Sequence, residues 1–73
     1  MLDAVGMKEI NRIFEVIDGL GIHREHVVIP LGTGTGRVRR LPSGKLEIIV
    51  DAEMPFEEWV AGLPALIQAA QGQ

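Results

Sequence analysis

Apolar side chains recur at Met7, Ile10, Ile13, Phe14 and Ile17, with Lys8, Glu9, Arg12 and Glu15 between them. That is the spacing of an amphipathic helix with one buried stripe. The pattern predicts a helix over residues 3–18. Gly19 is expected to close it as the left-handed residue past the end, with Leu20 folding back as the apolar contact of that cap. Leu2, Val5 and Val16 fall off the stripe and are placed to touch a second surface. After a polar connection over residues 21–25, the run His26-Val27-Val28-Ile29-Pro30-Leu31 is rich in β-branched residues and predicts a strand. Pro30 has no amide hydrogen to give to a neighbour, which assigns this strand to a sheet edge.

Gly32-Thr33-Gly34-Thr35-Gly36 then forms a glycine-rich loop leading into the most strongly specified stretch of the chain, residues 37–51. There Leu41-Pro42-Ser43-Gly44-Lys45 spells a three-residue hairpin loop. Pro42 fixes the φ of a type I turn, and Gly44 supplies the left-handed residue of a G1 bulge. Pairing outward from that turn sets Leu41 against Lys45, Arg40 against Leu46, Arg39 against Glu47, Val38 against Ile48 and Arg37 against Ile49. One face then carries Val38, Leu46, Ile48 and Val50. The other carries Arg37, Arg39, Lys45 and Glu47 together with the apolar Leu41 and Ile49.

Beyond Asp51 a second helix is expected to start near Pro55, a residue suited to the first helical position, with Glu57 and Glu58 at the positive end of the helix dipole. Phe56, Trp59, Val60, Leu63, Leu66 and Ile67 hold one helical phase across Pro64, which predicts a kink or break near residues 62–63 with the same face buried on both sides. Residues 69–73 are expected to fray. The fold class that follows is α+β. A helix, a three-stranded antiparallel meander and a helix form a single small domain over residues 1–73, with both helices on one face of the sheet.

At 73 residues the chain buries only ~60% of the surface it exposes when unfolded, and its stability is marginal. No cysteine is present, so neither a disulfide framework nor a thiolate metal site supports the core. Apolar residues make up 47% of the chain, yet every apolar run is short and interrupted, and none is expected to span a membrane. No basic segment followed by an apolar run opens the sequence, so the cytoplasm is the expected location.

The net charge of −3 hides an uneven distribution. Residues 1–21 carry −2, residues 22–46 carry +4 and residues 47–73 carry −5. A basic middle between acidic ends reads either as internal neutralisation or as a patch for an acidic partner.

Candidate chemistry is sparse. The glycine loop runs into a strand and lacks the Gly-Lys-Ser/Thr ending of a nucleotide-phosphate loop, so a strand connector is the preferred reading. His23 and His26 form a His-x-x-His pair, but only Glu25 stands near them as a further ligand. Asp51, Glu53, Glu57 and Glu58 cluster where a helix start explains them. Ser43, in the turn, is the only serine and tyrosine is absent, which leaves little for nucleophilic catalysis. The order of helix, strands, hairpin and helix over residues 3–67 resembles in layout the front of small zincin-type metallopeptidase domains. Their His-Glu-x-x-His helix is replaced here by Trp59-Val60-Ala61-Gly62-Leu63-Pro64-Ala65-Leu66-Ile67, so no site is carried over.

The leading expectation is a small non-enzymatic module acting through self-association, as a homodimer, or through another protein, with no catalytic, metal or cofactor residues. Leu41, Ile49 and Trp59 are its candidate interface residues. The alternative is a nucleic-acid or anion-binding module using Arg37, Arg39, Arg40 and Lys45. Against nucleic acid stand the acidic balance and the absence of aromatic residues interleaved with the basic strands. A minimal enzyme or metal protein built on His23 and His26 is the lesser alternative.

Overall fold

In the computed structural model, which describes residues 4–72, the Leu41–Lys45 turn closes in the register expected from its residues. The strands β2 (Val38–Arg40) and β3 (Leu46–Ile48) pair antiparallel, with Val38 opposite Ile48, Arg39 opposite Glu47 and Arg40 opposite Leu46. Leu41 N–H donates to the Lys45 carbonyl at 2.7 Å, and Gly44 N–H to the Leu41 carbonyl at 2.9 Å. Gly44 takes φ +91°, the left-handed residue that the loop requires.

The remaining elements are α1 (Met7–Gly19), a 3-10 turn at Arg24–His26, β1 (Val27–Val28), α2 (Phe56–Ala61) and α3 (Leu63–Gln71). The class is α+β, with the helices on the sheet face that carries Leu46, Ile48 and Val50. Those side chains join Ile13 and Ile17 of α1, Trp59 and Val60 of α2, and Leu63, Ile67 and Ala70 of α3 in one core.

The sheet is mixed, not an antiparallel meander. Its order is β1-β3-β2, and β1 lies parallel to β3 with Val27 beside Leu46 and Val28 beside Glu47. β1 does occupy an edge. A parallel neighbour ordinarily demands a long crossover. Here β1 and β3 are not consecutive, and the intervening strand β2 supplies the reversal. The chain leaves β1, crosses the C-terminal end of β3 through the glycine loop, and returns on the other side as β2. Gly34 N–H donates to the Val50 carbonyl at 2.8 Å, and Ala52 N–H donates to the Gly34 carbonyl at 3.0 Å. Isolated bridges join Gly34 and Thr35 to Asp51.

Local endings differ from expectation in three places. α1 starts at Met7 after Gly6, whose N–H donates to Glu9 Oε1 at 2.9 Å. Val5 and Ile10 then take the two positions of a hydrophobic staple, Val5 buried in the core and Ile10 half-buried against it. The expected start at Asp3, with Leu2, lies outside the described residues.

At the other end of α1, Gly19 is helical and Gly21, at φ +75°, is the left-handed residue. Gly21 N–H donates to the Asp18 carbonyl at 3.1 Å and Ile22 N–H to the Ile17 carbonyl at 3.0 Å, which makes a Schellman cap. Ile22, not Leu20, therefore supplies the apolar closure. It packs against the core, while Leu20 is exposed.

The second helical segment breaks at Gly62, with Pro64 in the first turn of α3. Pro64 has no amide hydrogen for a continuous helix and fits a new first turn, where that hydrogen has no partner to lose. The expected fraying is not seen through residue 71. Ala70 is buried, and α3 continues to Gln71. Gln73 lies outside the described residues.

Candidate functional site

Strand alternation decides where the basic residues go. Arg37 and Arg39 lie on the sheet face away from the helices, and both are exposed. Arg39 Nε donates to Glu47 Oε1 at 2.6 Å. Arg40, the next residue, belongs to the other face. It is paired with Leu46 and reaches the rim of the helix side. Lys45 is exposed in the turn. The four cations of the hairpin thus do not form one patch.

Arg40 instead joins the histidines. A cavity of about 360 Å³ is lined by Gly21, Ile22, His23, His26, Arg40, Gly44, Leu46 and Gln71. Three distant stretches meet there: the turn after α1, the closed end of the hairpin, and the last turn of α3. The Schellman cap steers Ile22 inward and sets His23 just beyond it. The 3-10 turn then brings His26 back, so that the two imidazole rings meet edge to face with centroids 5.7 Å apart. Among the described residues no acidic side chain lines this cavity. Beside it, Arg24 donates to Asp18 at 2.8 Å and lies over the Phe14 ring at 4.6 Å, closing the end of α1 against the turn. The hydrogen bond from Arg24 holds the Asp18 carboxyl below its ordinary value.

The glycine loop is occupied by its own chain. Trp59 Nε1 donates to the Gly36 carbonyl at 3.2 Å. A Cβ on Gly36 would come within 2.7 Å of Asp51 Oδ2, and one on Gly34 within 2.9 Å of Ile49 Cγ2. Asp51 Oδ1 accepts the N–H groups of Glu53 at 2.7 Å and Met54 at 2.9 Å, which turns the chain toward α2. Those two bonds, Met54 first, lower the Asp51 pKa. Of the clustered carboxylates, Asp51 thus has a local structural task. Glu57 pairs across to Arg12 of α1 at 3.4 Å.

The candidate interface residues separate. Trp59 is 3% exposed and lies inside its own chain's core, so it is not a surface contact. Leu41 and Ile49 are half-buried on the outer sheet face, Ile49 partly under Gly34. Val28, not singled out from the sequence, is 37% exposed on that face. Its position beside Glu47 required knowing that β1 borders β3.

Among the described residues no group of three His, Cys, Asp or Glu side chains is placed to hold a metal ion. No described helix is long and apolar enough to cross a membrane. Compared with protein-family models, with curated proteins and with solved structures, the chain matches none.

Proposed function

We propose that this chain is a small non-enzymatic cytoplasmic module that works by association, with a second copy of itself as the partner, through the sheet face opposite the helices. The observation that carries the reading is that the helices cover one side of the sheet only. On the other side Val28, Leu41 and Ile49 present apolar surface around the Arg39–Glu47 pair, with Arg37 at the margin. This face carries both signs of charge, so a two-fold axis can set the arginines of one copy against the glutamate of the other, as an isologous interface demands. The pressure to associate comes from size. A core this small, with no disulfide to support it, gains from burying a second surface.

Nucleic-acid binding through the hairpin draws less support, because Arg40 lies on the opposite face from Arg37 and Arg39. Sedimentation equilibrium tests the association reading. The wild type is expected to dimerise at micromolar concentration, and Val28→Lys to shift the equilibrium toward monomer without lowering helix content. A wild type that stays monomeric at high concentration would refute it.

A further inference from the structure

We propose that association through the outer sheet face is linked to uptake of inorganic phosphate, held on the two-fold axis between the Arg37 side chains of two copies. The inference rests on the association reading above and adds its regulation. It starts from the charge balance of that face, which carries the guanidiniums of Arg37 and Arg39 and, at its turn end, the ammonium of Lys45. Glu47 opposes them, and Arg39 Nε already donates to it at 2.6 Å. Among the described residues no carboxylate pairs with Arg37, which is exposed. Ile49 N–H donates to the Arg37 carbonyl at 2.8 Å, which fixes this arginine opposite one of the apolar residues of the face. Asp51, two positions further along, gives its Oδ1 to the amides of Glu53 and Met54.

In one copy the surplus cation stands in water and salt screens it. Packing two copies on this face brings both surplus guanidiniums among Val28, Leu41 and Ile49, because an isologous interface presents the same patch twice. Charges drawn into such an interface are screened less, and like charges oppose association. An anion with two negative charges removes that opposition. The planar forks of two guanidiniums match the paired oxygens of a tetrahedral oxyanion, and such charge-assisted bonds are the stronger kind, whereas chloride has no paired oxygens to offer. Each copy holds half of the site, so the monomer is expected to bind phosphate weakly. The attraction is local, since the whole chain carries −3 and its long-range field repels an anion.

The test is sedimentation equilibrium of the full chain at about 0.1 M ionic strength, in chloride alone and with about 5 mM inorganic phosphate replacing chloride of equal ionic strength. With a dimer that holds phosphate at a Kd of about 0.5 mM, association should tighten about tenfold, because the shift is set by the ratio of free anion to Kd. Arg37→Gln should associate in chloride at least as tightly as the wild type, since the surplus charge is gone, and should not respond to phosphate. Arg37→Lys keeps the charge but not the fork, so a weaker response is expected. Circular dichroism reports whether each variant is folded. Phenyl phosphate should act less than inorganic phosphate, because its ring must be accommodated between the two copies, and a stronger effect overturns the assignment in favour of an organic phosphate. A dimer indifferent to phosphate overturns this inference and leaves the association reading standing, whereas a chain that is monomeric with and without phosphate refutes both. An equal phosphate response in the wild type and Arg37→Gln overturns the site by placing the anion elsewhere. A single-stranded oligonucleotide that binds this face and splits the dimer would also overturn it, in favour of nucleic-acid binding.

Discussion

Adding one methyl group at Gly36 is expected to damage the fold far more than adding one at Gly44, although both residues have positive φ, +71° and +91°. The backbone penalty alone, for an L-residue in the left-handed region, is ~1–2 kcal/mol and applies to both sites. At Gly44 nothing stands within 4 Å of the added Cβ, so the penalty ends there. At Gly36 the Cβ would meet Asp51 Oδ2 at 2.7 Å, Asp51 Cβ at 2.8 Å and Trp59 Nε1 at 2.9 Å. Ordinary non-bonded carbon contacts lie near ~3.5–4.0 Å, so the loop must move away from both residues. Movement breaks the indole bond to the Gly36 carbonyl and disturbs the Asp51 turn into α2. The indole bond is worth ~1 kcal/mol, which brings the total for Gly36→Ala to at least ~2–3 kcal/mol.

At ~0.05–0.15 kcal/mol per residue, a chain this short has only ~4–11 kcal/mol to lose. Each kilocalorie is ~4–8 °C of Tm in a domain of this size, and the backbone penalty is common to both, so Gly36→Ala should melt at least ~4 °C below Gly44→Ala. Far-UV circular dichroism and Trp59 emission, followed through the same thermal melt, would measure the difference. Equal melting temperatures would show that the glycine loop does not cross the end of β3 against Trp59 and Asp51. The β1-β3-β2 order would fall with it.

The two sheet faces should respond differently to truncation: Ile48→Ala is expected to cost ~2–5 kcal/mol, and Glu47→Ala, which removes an ion pair to an exposed arginine, under ~1 kcal/mol, both read by urea denaturation at low protein concentration. Gly62→Ala should stabilise by ~0.4–1 kcal/mol in the same assay, because Gly62 has φ −89° and an added Cβ meets nothing closer than the Trp59 carbonyl at 3.6 Å. For acid denaturation the sign follows from two lowered pKa values, Asp51 through the amides of Met54 and Glu53 and Asp18 through Arg24. Their stabilising contribution is fully present above the unfolded carboxylate value near ~3.9 and is lost as the pH falls through the lower folded values. Asp51→Asn, which keeps the acceptor oxygen, should flatten the melting temperature's dependence on pH below ~4, and an unchanged slope would refute the assignment.

The hairpin was legible because everything that decides it is local. Pro42 and Gly44 fix the turn, the turn fixes the register, and the register fixes which residues share a face. The break at Gly62 was legible for the same reason, since Pro64 forbids a continuous helix whatever surrounds it. The edge position of β1 followed from Pro30. Its partner did not, because pairing β1 with β3 depends on the glycine loop crossing over a strand that comes later in the chain. Gly19 and Gly21 were both eligible to end α1. The deciding difference is that a cap at Gly21 turns Ile22 into the core, and that depends on where the core is.

The cavity was half legible. Pairing Arg40 with Leu46 already placed this arginine on the face opposite Arg37 and Arg39, so the register alone argued against one basic patch. That His23 and His26 lie at the same end of the sheet as Arg40 follows only from the parallel placement of β1, in which Val27 lies beside Leu46.

The association reading stands or falls on which face changes when the protein is diluted. Amide chemical shifts recorded across about a hundredfold dilution would report this directly, since a two-copy equilibrium shifts with concentration by mass action. Saturable changes are expected at Val28, Arg39, Leu41, Glu47 and Ile49, with the amides of α1 and α3 unmoved and the response abolished in Val28→Lys. Shifts that stay constant over the whole range, or that cluster on the helices, would contradict it.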